Sequence, residues 1–164
     1  MKGHAEVLIR QAIPEDAPEL LALIRIAMAV YARKSGIATL LESQLETLDE
    51  LKAHLLSDHV LVAEHRGKLI GTVRLIHDGG DTAYFSRFAV LPALQQTGLG
   101  RLIYQAAEEW LASQGVRAIR LHTALTNQPL VAFYESRGFK LIETNTARGY
   151  PRGTFQKDLQ EFGD

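Results

Sequence analysis

Residues 95–100 read Gln95-Gln96-Thr97-Gly98-Leu99-Gly100 and lie between an apolar run at 85–92 and a long amphipathic segment. The apolar run predicts a strand, and the intervals of three and four between the later apolar residues predict a helix. Glycines in such a turn let the backbone approach a ligand, and the helix N-terminus adds unpaired N–H donors and partial positive charge. The loop therefore indicates a phosphate site, although glycines before a helix are also ordinary turn residues.

The loop lacks both of the usual nucleotide motifs. The dinucleotide fingerprint needs a further glycine at position 103, where Ile103 stands. The P-loop ends in Gly-Lys-Ser/Thr, whereas Arg101 and Leu102 follow Gly100. The sequence thus predicts phosphate binding without a typical nucleotide site.

A second informative block follows the predicted strand at 118–124. A short helix begins after Asn127, with proline in its first turn, and ends before Gly138, which is the usual capping asymmetry. Phe133 and Tyr134 are adjacent on this helix. Both are typical core aromatics, but a buried Tyr134 hydroxyl would need a polar partner.

Together the two blocks resemble the GNAT superfamily of acyl-CoA-dependent N-acetyltransferases. Gln95-x-x-Gly98-x-Gly100 is similar to the family's pyrophosphate loop, and Asn127…Phe133-Tyr134-Glu135…Gly138-Phe139 is similar to its second motif. The similarity extends over about residues 6–159, with motif-level matches at about 87–139. The resemblance implies one domain over residues 1–164, with a mixed, mostly antiparallel seven-stranded sheet and helices on both faces.

Composition agrees with a single domain and excludes several classes of protein. The chain has 164 residues, with 18 basic and 19 acidic side chains, so no nucleic-acid surface is predicted. The absence of cysteine excludes disulfides, thiolate metal sites and a cysteine acyl-enzyme, and no histidine pair has metal-ligand spacing. No signal peptide or run of membrane-spanning length is evident, so a cytoplasmic protein is expected. Uncapped edge strands would allow a homodimer.

The hydrophobic pattern predicts the remaining elements. Apolar periodicity indicates helices ending near Tyr31 and covering 48–56, whereas 32–46 has mixed character. Strands are predicted at 7–10, 59–65, 69–76, 82–91, 118–124, 139–143 and 153–159. The helix after the glycine loop has one apolar stripe, formed by Leu99, Leu102, Ile103, Ala106, Ala107, Trp110 and Leu111.

The resemblance also implies how acetyl-CoA would bind. The pantetheine arm would add to the fourth strand, where a bulge leaves backbone groups free, and the pyrophosphate would bind the N–H groups of 96–100. Asn127 is expected to bond the arm or to cap its helix, and Arg137 is expected to reach the 3′-phosphate or the adenine. The predicted contact residues are Phe88, Ala89, Val90, Gln95, Gln96, Thr97, Gly98, Leu99, Gly100, Arg101, Asn127, Phe133 and Arg137.

Tyr134 is the predicted general acid for the leaving thiolate, because its ordinary pKa is close enough to that of a thiol to share a proton. The family often has a carboxylate base on the fourth strand, but 82–88 contains no Asp or Glu. Three alternatives remain for deprotonating an ammonium acceptor: His122, His77 or a water relay.

The acceptor site is predicted between the region 31–45 and the loop 146–152. Tyr31, Arg148 and Tyr150 are its candidate residues, and guanidinium groups match a carboxylate or phosphate on the acceptor. The sequence therefore favours acetylation of a small amine or an amino-acid-like molecule. A protein N-terminus or lysine, or an acyl-CoA-binding module without turnover, are the alternatives.

Overall fold

The structure is a computed structural model and describes residues 6–159. Within these residues, every predicted strand and long helix is present within a few residues of its expected bounds. The strands are β1 (Val7–Gln11), β2 (His59–His65), β3 (Lys68–His77), β4 (Thr82–Val90), β5 (Ala118–Ala124), β6 (Lys140–Asn145) and β7 (Arg152–Asp158). The α-helices are α1 (Ala17–Lys34), α2 (Glu42–Leu45), α3 (Leu48–Ser57), α4 (Leu99–Ser113) and α5 (Gln128–Ser136).

All seven strands form one sheet in the order β1-β2-β3-β4-β5-β7-β6. The β4–β5 pair is parallel, and every other neighbouring pair is antiparallel. The expectation of a mixed, mostly antiparallel sheet is therefore confirmed. The parallel pair lies near the middle of the sheet, where the chain has crossed from one half to the other through α4.

Helices cover both faces of the sheet, and each face has its own hydrophobic core. On one face α4 and α5 pack over the central strands, around residues such as Ile103, Leu111 and Phe155. On the other face α1 and α3 pack through Leu20, Ile24 and their neighbours. Burial of each such side chain contributes about 1.5–3 kcal/mol relative to exposure, so these two layers hold the sheet that carries the site.

The packing of the long helix α4 explains the clear apolar periodicity of its sequence. Leu99, Ile103, Ala107 and Leu111 repeat every fourth residue, and all are buried. Tyr104 is also buried, which the sequence pattern did not predict, because its hydroxyl donates to the Glu108 carboxylate at 3.1 Å. Among the described residues, no helix is long and apolar enough to cross a bilayer.

The region of mixed character, 32–46, contains structure that the sequence did not predict. Helix α1 continues through Lys34, and a single helical turn forms α2. A short 3₁₀ turn, Pro92–Leu94, also separates β4 from the glycine loop. The α2 turn is too short to show apolar periodicity, and it packs against α1.

Candidate active site

Strands β4 and β5 separate in the middle of the sheet. Their parallel pairing extends only from Thr82 to Tyr84 on β4, opposite Ala118 to Arg120 on β5. Beyond Tyr84, the β5-facing side of β4 has no strand partner among the described residues, so its backbone groups there are free of sheet pairing. The gap opens on a larger cleft and a smaller cavity.

The expected bulge is present on β4. The register with β3 shifts between Thr72 and Arg74, and Arg87 on β4 has a left-handed backbone with φ 50°. A residue other than glycine adopts this conformation only where the surroundings hold it. The bulge therefore fixes where β4 turns its edge towards the gap.

The larger cleft has a volume of about 620 Å³ and lies between α1, β4 and the N-termini of α4 and α5. It brings together most of the residues predicted to contact acetyl-CoA. Those lining it are Phe88, Ala89, Val90, Gln95, Gln96, Gly98, Gly100, Arg101, Asn127 and Phe133. Residues that are far apart in sequence therefore share one elongated surface.

The glycine loop lies at one end of this cleft. Gly98 has φ 90° and immediately precedes α4, so the first N–H groups of the helix have no intrahelical partner. A Cβ at Gly100 would lie 3.2 Å from the Phe88 ring, so the glycine keeps the backbone close to β4. These donors and the helix dipole favour a phosphate at this end.

Lys34 is a cleft residue that sequence reasoning missed. Its Nζ donates to Oε1 of Gln95 at 3.0 Å, which places a cation beside the loop. The two residues are 61 positions apart, and no local motif links the end of α1 to this loop. Lys34 and Arg101 together make this end of the cleft positive.

Three of the predicted contact residues do not line the cleft. The Thr97 hydroxyl donates to the carbonyl of Leu94 at 2.6 Å, and the Leu99 side chain is buried in the core, so neither side chain lines the cleft. The Arg137 guanidinium lies 5.8 Å from the Phe133 ring centroid. Its expected contact with the 3′-phosphate or adenine stays a prediction.

Asn127 caps α5, as one of its two expected roles requires. Its Oδ1 accepts from the N–H of Leu130 at 3.3 Å, and its Nδ2 donates to Oγ of Ser35 at 3.2 Å. The side chain is buried yet also lines the cleft. It therefore joins the end of α1 to the start of α5 along one wall of the cleft.

The smaller cavity, of about 210 Å³, adjoins the cleft through shared lining residues that include Tyr31 and Phe88. The predicted catalytic residues Tyr134 and His122 line it, as do the predicted acceptor residues Arg148 and Tyr150. The Tyr31 hydroxyl accepts from the N–H of Ala124 at 2.8 Å, so this side chain also ties α1 to β5. We call this space the acceptor cavity.

Tyr134 is only 4% exposed and packs edge-on against Phe85 and Phe139. Among the described residues, none hydrogen-bonds to its hydroxyl. Burial, with a smaller contribution from Tyr31, raises the pKa of the Tyr134 phenol. The phenol therefore keeps its proton at neutral pH. The same raised pKa makes it a weaker acid than the ordinary tyrosine that the sequence-based prediction assumes, so its role as general acid stays a prediction.

The two histidines proposed as bases differ in position. Nδ1 of His122 lies 2.9 Å from Oγ1 of Thr154, and the ring stacks on Tyr84 within the acceptor cavity. Burial and the nearby Arg152 lower the pKa of His122, so the imidazole is neutral at neutral pH. His77 instead lies 2.9 Å from the carbonyl of Gly80 and is outside both the cleft and the cavity.

A buried ion pair beside the acceptor cavity was not anticipated. Nη2 and Nη1 of Arg74 donate to the two carboxylate oxygens of Glu46 at 2.6 and 2.9 Å, and both residues are buried. Nη2 of Arg87 lies 3.6 Å from the same carboxylate, and Arg25 donates to the Glu46 carbonyl at 3.1 Å. Glu46 thus anchors the α2 segment to β3 and to the β4 bulge.

Burial opposes ionisation of Glu46, but hydrogen bonding and charge from Arg74, with the charge of Arg87, lower its pKa overall. A lowered pKa means that the carboxylate stabilises the fold at pH values above its ordinary pKa of 4.5, and that this contribution is lost as the pH falls.

We expect Glu46→Gln to lower the free energy of unfolding at neutral pH by about 3–5 kcal/mol, because it leaves buried arginine charge unpaired. Urea unfolding from pH 7 to pH 3 should show that the difference from wild type shrinks on acidification.

Glu6→Gln is the matched control for Glu46→Gln. Glu6 pairs with Arg66 at 3.2 Å, but the two side chains are 60% and 77% exposed. Loss of such a surface pair should change the free energy of unfolding by less than about 1 kcal/mol. Equal effects of the two substitutions would contradict a stabilising role for the buried pair.

Comparison with known proteins now gives the family. The model of the acetyltransferase (GNAT) family matches residues 39–139. The chain therefore belongs to the GNAT acetyltransferase family.

The individual similarities are more distant. A Bacillus subtilis (strain 168) protein named as an acetyltransferase is 28% identical over 122 residues, which are 74% of this chain and 77% of that protein. The mycothiol acetyltransferase of Amycolatopsis mediterranei (strain U-32) is 34% identical over 109 residues, 62% of this chain but 36% of that protein. The PaiA N-acetyltransferase of Thermoplasma acidophilum, solved with coenzyme A, has a TM-score of 0.80 at 22% identity, with 93% and 99% of the two chains covered. This last similarity shows a shared fold.

Proposed function

We propose that this protein transfers an acetyl group from acetyl-CoA to a primary amine. The observation that carries the proposal is that the two spaces adjoin, since Met28, Tyr31, Phe88 and Leu130 line both of them. A cleft that begins at an anion-binding helix N-terminus leads along the free edge of β4 into a cavity lined by the buried Tyr134. A long phosphate-bearing thioester and a small acceptor would meet where these spaces join.

The cleft suits each part of acetyl-CoA in turn. The pyrophosphate would accept hydrogen bonds from the loop N–H groups, with Lys34 and Arg101 adding charge. The pantetheine amides would pair with the β5-facing backbone of β4, as an added strand does. The thioester would then lie at the bulge, where backbone N–H groups polarise its carbonyl.

The reaction that we propose is direct attack in a ternary complex. The amine nitrogen forms a bond to the thioester carbon, the C–S bond breaks, and the amine loses one proton. The departing thiolate takes a proton from the Tyr134 hydroxyl, which later recovers one from solvent. Positioning of the two substrates supplies much of the rate enhancement.

The positive acceptor cavity would assist loss of the ammonium proton. Nearby like charges disfavour the charged form of the amine, so Arg87, Arg148 and Arg152 lower its pKa. A modest base is then sufficient, either a water relay or the neutral His122. Of the two histidine candidates, His122 is favoured because it lines the cavity.

His122→Gln tests this choice of base. If His122 accepts the proton, kcat/KM at neutral pH should fall about 100-fold or more, and its acidic limb should disappear from the pH profile. His77→Gln is the matched control, and it should leave the profile unchanged. An unaltered profile in His122→Gln would instead assign the step to a water relay.

The experiment that tests the function combines binding with turnover. Acetyl-CoA binding is measured by calorimetry, and thiol release is followed with amines, amino acids, polyamines and peptides as acceptors. Binding together with release would support acetyl transfer. Binding without release from any acceptor would favour an acyl-CoA-binding module, and the absence of binding would overturn the proposal.

A further inference from the structure

The acceptor cavity has a surplus of positive charge. Arg87 from β4, Arg148 from the loop before β7 and Arg152 from β7 all line it. The carboxylate among its lining residues is that of Glu42. Three guanidinium groups around about 210 Å³ with one carboxylate form an arrangement that an anion would stabilise.

Arg87 is incompletely neutralised by the protein. Its Nη2 lies 3.6 Å from a Glu46 oxygen, but that carboxylate already accepts two shorter hydrogen bonds from Arg74. The Arg87 Nε is buried and has no hydrogen-bond partner within residues 6–159. Burial, followed by the charge of Arg74, lowers the pKa of Arg87. The β4 bulge therefore holds a strained, half-buried cation at the wall of the cavity.

Arg152 and Arg148 are also weakly paired. Among residues 6–159, no carboxylate lies within ion-pair distance of the Arg152 guanidinium, and burial together with the charge of Arg148 lowers the pKa of Arg152. Arg148 lies 3.5 Å from Glu42, whose side chain is 72% exposed. Such an exposed pair is easily displaced by a ligand.

We propose that the acceptor carries an anionic group, a carboxylate or a phosphate, and that Arg87 and Arg152 bind this group. The inference rests on the proposed function and adds the substrate class. Guanidinium groups bind planar or tetrahedral oxyanions through paired N–H donors. The anion would fix one end of the acceptor, and its amine would point towards the β4 bulge and Tyr134.

The size of the cavity favours a small molecule over a protein chain. About 210 Å³ accommodates a compact amine with one acidic group. A lysine side chain carries no anion of its own, so a protein acceptor would balance the arginines only where an acidic residue flanks its amine. Amino acids and phosphorylated amines are therefore the acceptor class that the observations favour, and acetylation of neutral peptides is an outcome that the test can return.

The test compares acceptors that differ only in the acidic group. β-Alanine is compared with propylamine, phosphoethanolamine with ethanolamine, and glutamate with its diamide, by steady-state thiol release at saturating acetyl-CoA. We expect the anionic member of at least one pair to have a kcat/KM about 10- to 100-fold higher, the effect of one or two charge-assisted hydrogen bonds. The pair that shows the preference distinguishes a carboxylate from a phosphate.

Arginine variants connect this preference to the cavity. Arg152→Gln and Arg87→Gln should each raise KM for the anionic acceptor about 10-fold or more, and the ratio of kcat/KM between the anionic and the neutral member of a pair should fall about 10-fold. Arg33→Gln is the matched control, because Arg33 is exposed on α1 and lines neither space. Arg152 has no ion pair to lose in the described part of the chain, so Arg152→Gln remains informative if Arg87→Gln fails to fold.

A binding measurement separates failure of this inference from failure of the proposed function. Phosphoethanolamine and ethanolamine are titrated into the CoA-saturated protein by calorimetry, which does not require turnover. Tighter binding of the phosphorylated amine, lost in Arg152→Gln, would support the anion site even without acetyl transfer. Equal binding in this pair and in the two carboxylate pairs titrated in the same way, or equal acetylation of charged and neutral acceptors in all three, would overturn it while leaving acetyl transfer intact.

Discussion

Tyr134→Phe is expected to lower kcat about 100- to 10,000-fold, the range of a lost general acid. Phenylalanine keeps the ring contacts with Phe85 and Phe139 but cannot donate a proton to the leaving thiolate. The dissociation constant for acetyl-CoA should change little, because Tyr134 lines the acceptor cavity and not the larger cleft. Single-turnover kinetics and calorimetry measure the two effects separately.

The folding stability of Tyr134→Phe distinguishes a catalytic role of the Tyr134 hydroxyl from a packing role. Because no described residue bonds to the Tyr134 hydroxyl, its removal should leave the free energy of unfolding unchanged or slightly increased.

Tyr104→Phe is the control. The buried Tyr104 hydroxyl donates to Glu108 but lies outside both spaces. The Tyr104→Phe variant should therefore lose about 1 kcal/mol of folding stability and keep its kcat unchanged. Unaltered turnover in Tyr134→Phe would show that Tyr134 is a packing residue.

Gly98→Val is expected to weaken acetyl-CoA binding about 10-fold or more. Gly98 has φ 90° at the start of α4, and a β-branched residue there costs about 1–3 kcal/mol in backbone strain. If the loop relaxes to avoid this strain, its N–H groups no longer converge on the pyrophosphate. Calorimetric titration of acetyl-CoA into the variant measures the loss.

Gly115→Val supplies the matched control at the other end of α4. Gly115 has φ 80°, and its Cβ position is in open space, so its substitution carries similar backbone strain without approaching the cleft. Both variants should lose stability, but only Gly98→Val should lose affinity for acetyl-CoA. Normal affinity in Gly98→Val would contradict the assignment of the phosphate end to residues 95–100.

The sequence predicted the elements of the fold well because local periodicity determines them. The buried side chains of α4 repeat at helical spacing, and alternation and apolar runs identify the strands. Residues within one loop, such as Gly98 and Gly100, are close together in the fold because they are close in sequence, so their proximity could also be predicted. The burial of Tyr104 was not predicted, because a tyrosine is buried or exposed according to whether its hydroxyl has a hydrogen-bond partner in the fold.

The sequence by itself determined the glycine loop, the helix that follows it and the order of helices and strands along the chain. The acceptor site was predicted beside the loop 146–152, but only the tertiary structure brought Arg87 of β4 into the same cavity as Arg148 and Arg152. No local sequence pattern predicts that a bulge in β4 gives Arg87 a left-handed backbone, or that Lys34 donates a hydrogen bond to Gln95. Arginine side chains on isolated elements are solvated. They form a binding site only when folding brings them together in one enclosed cavity.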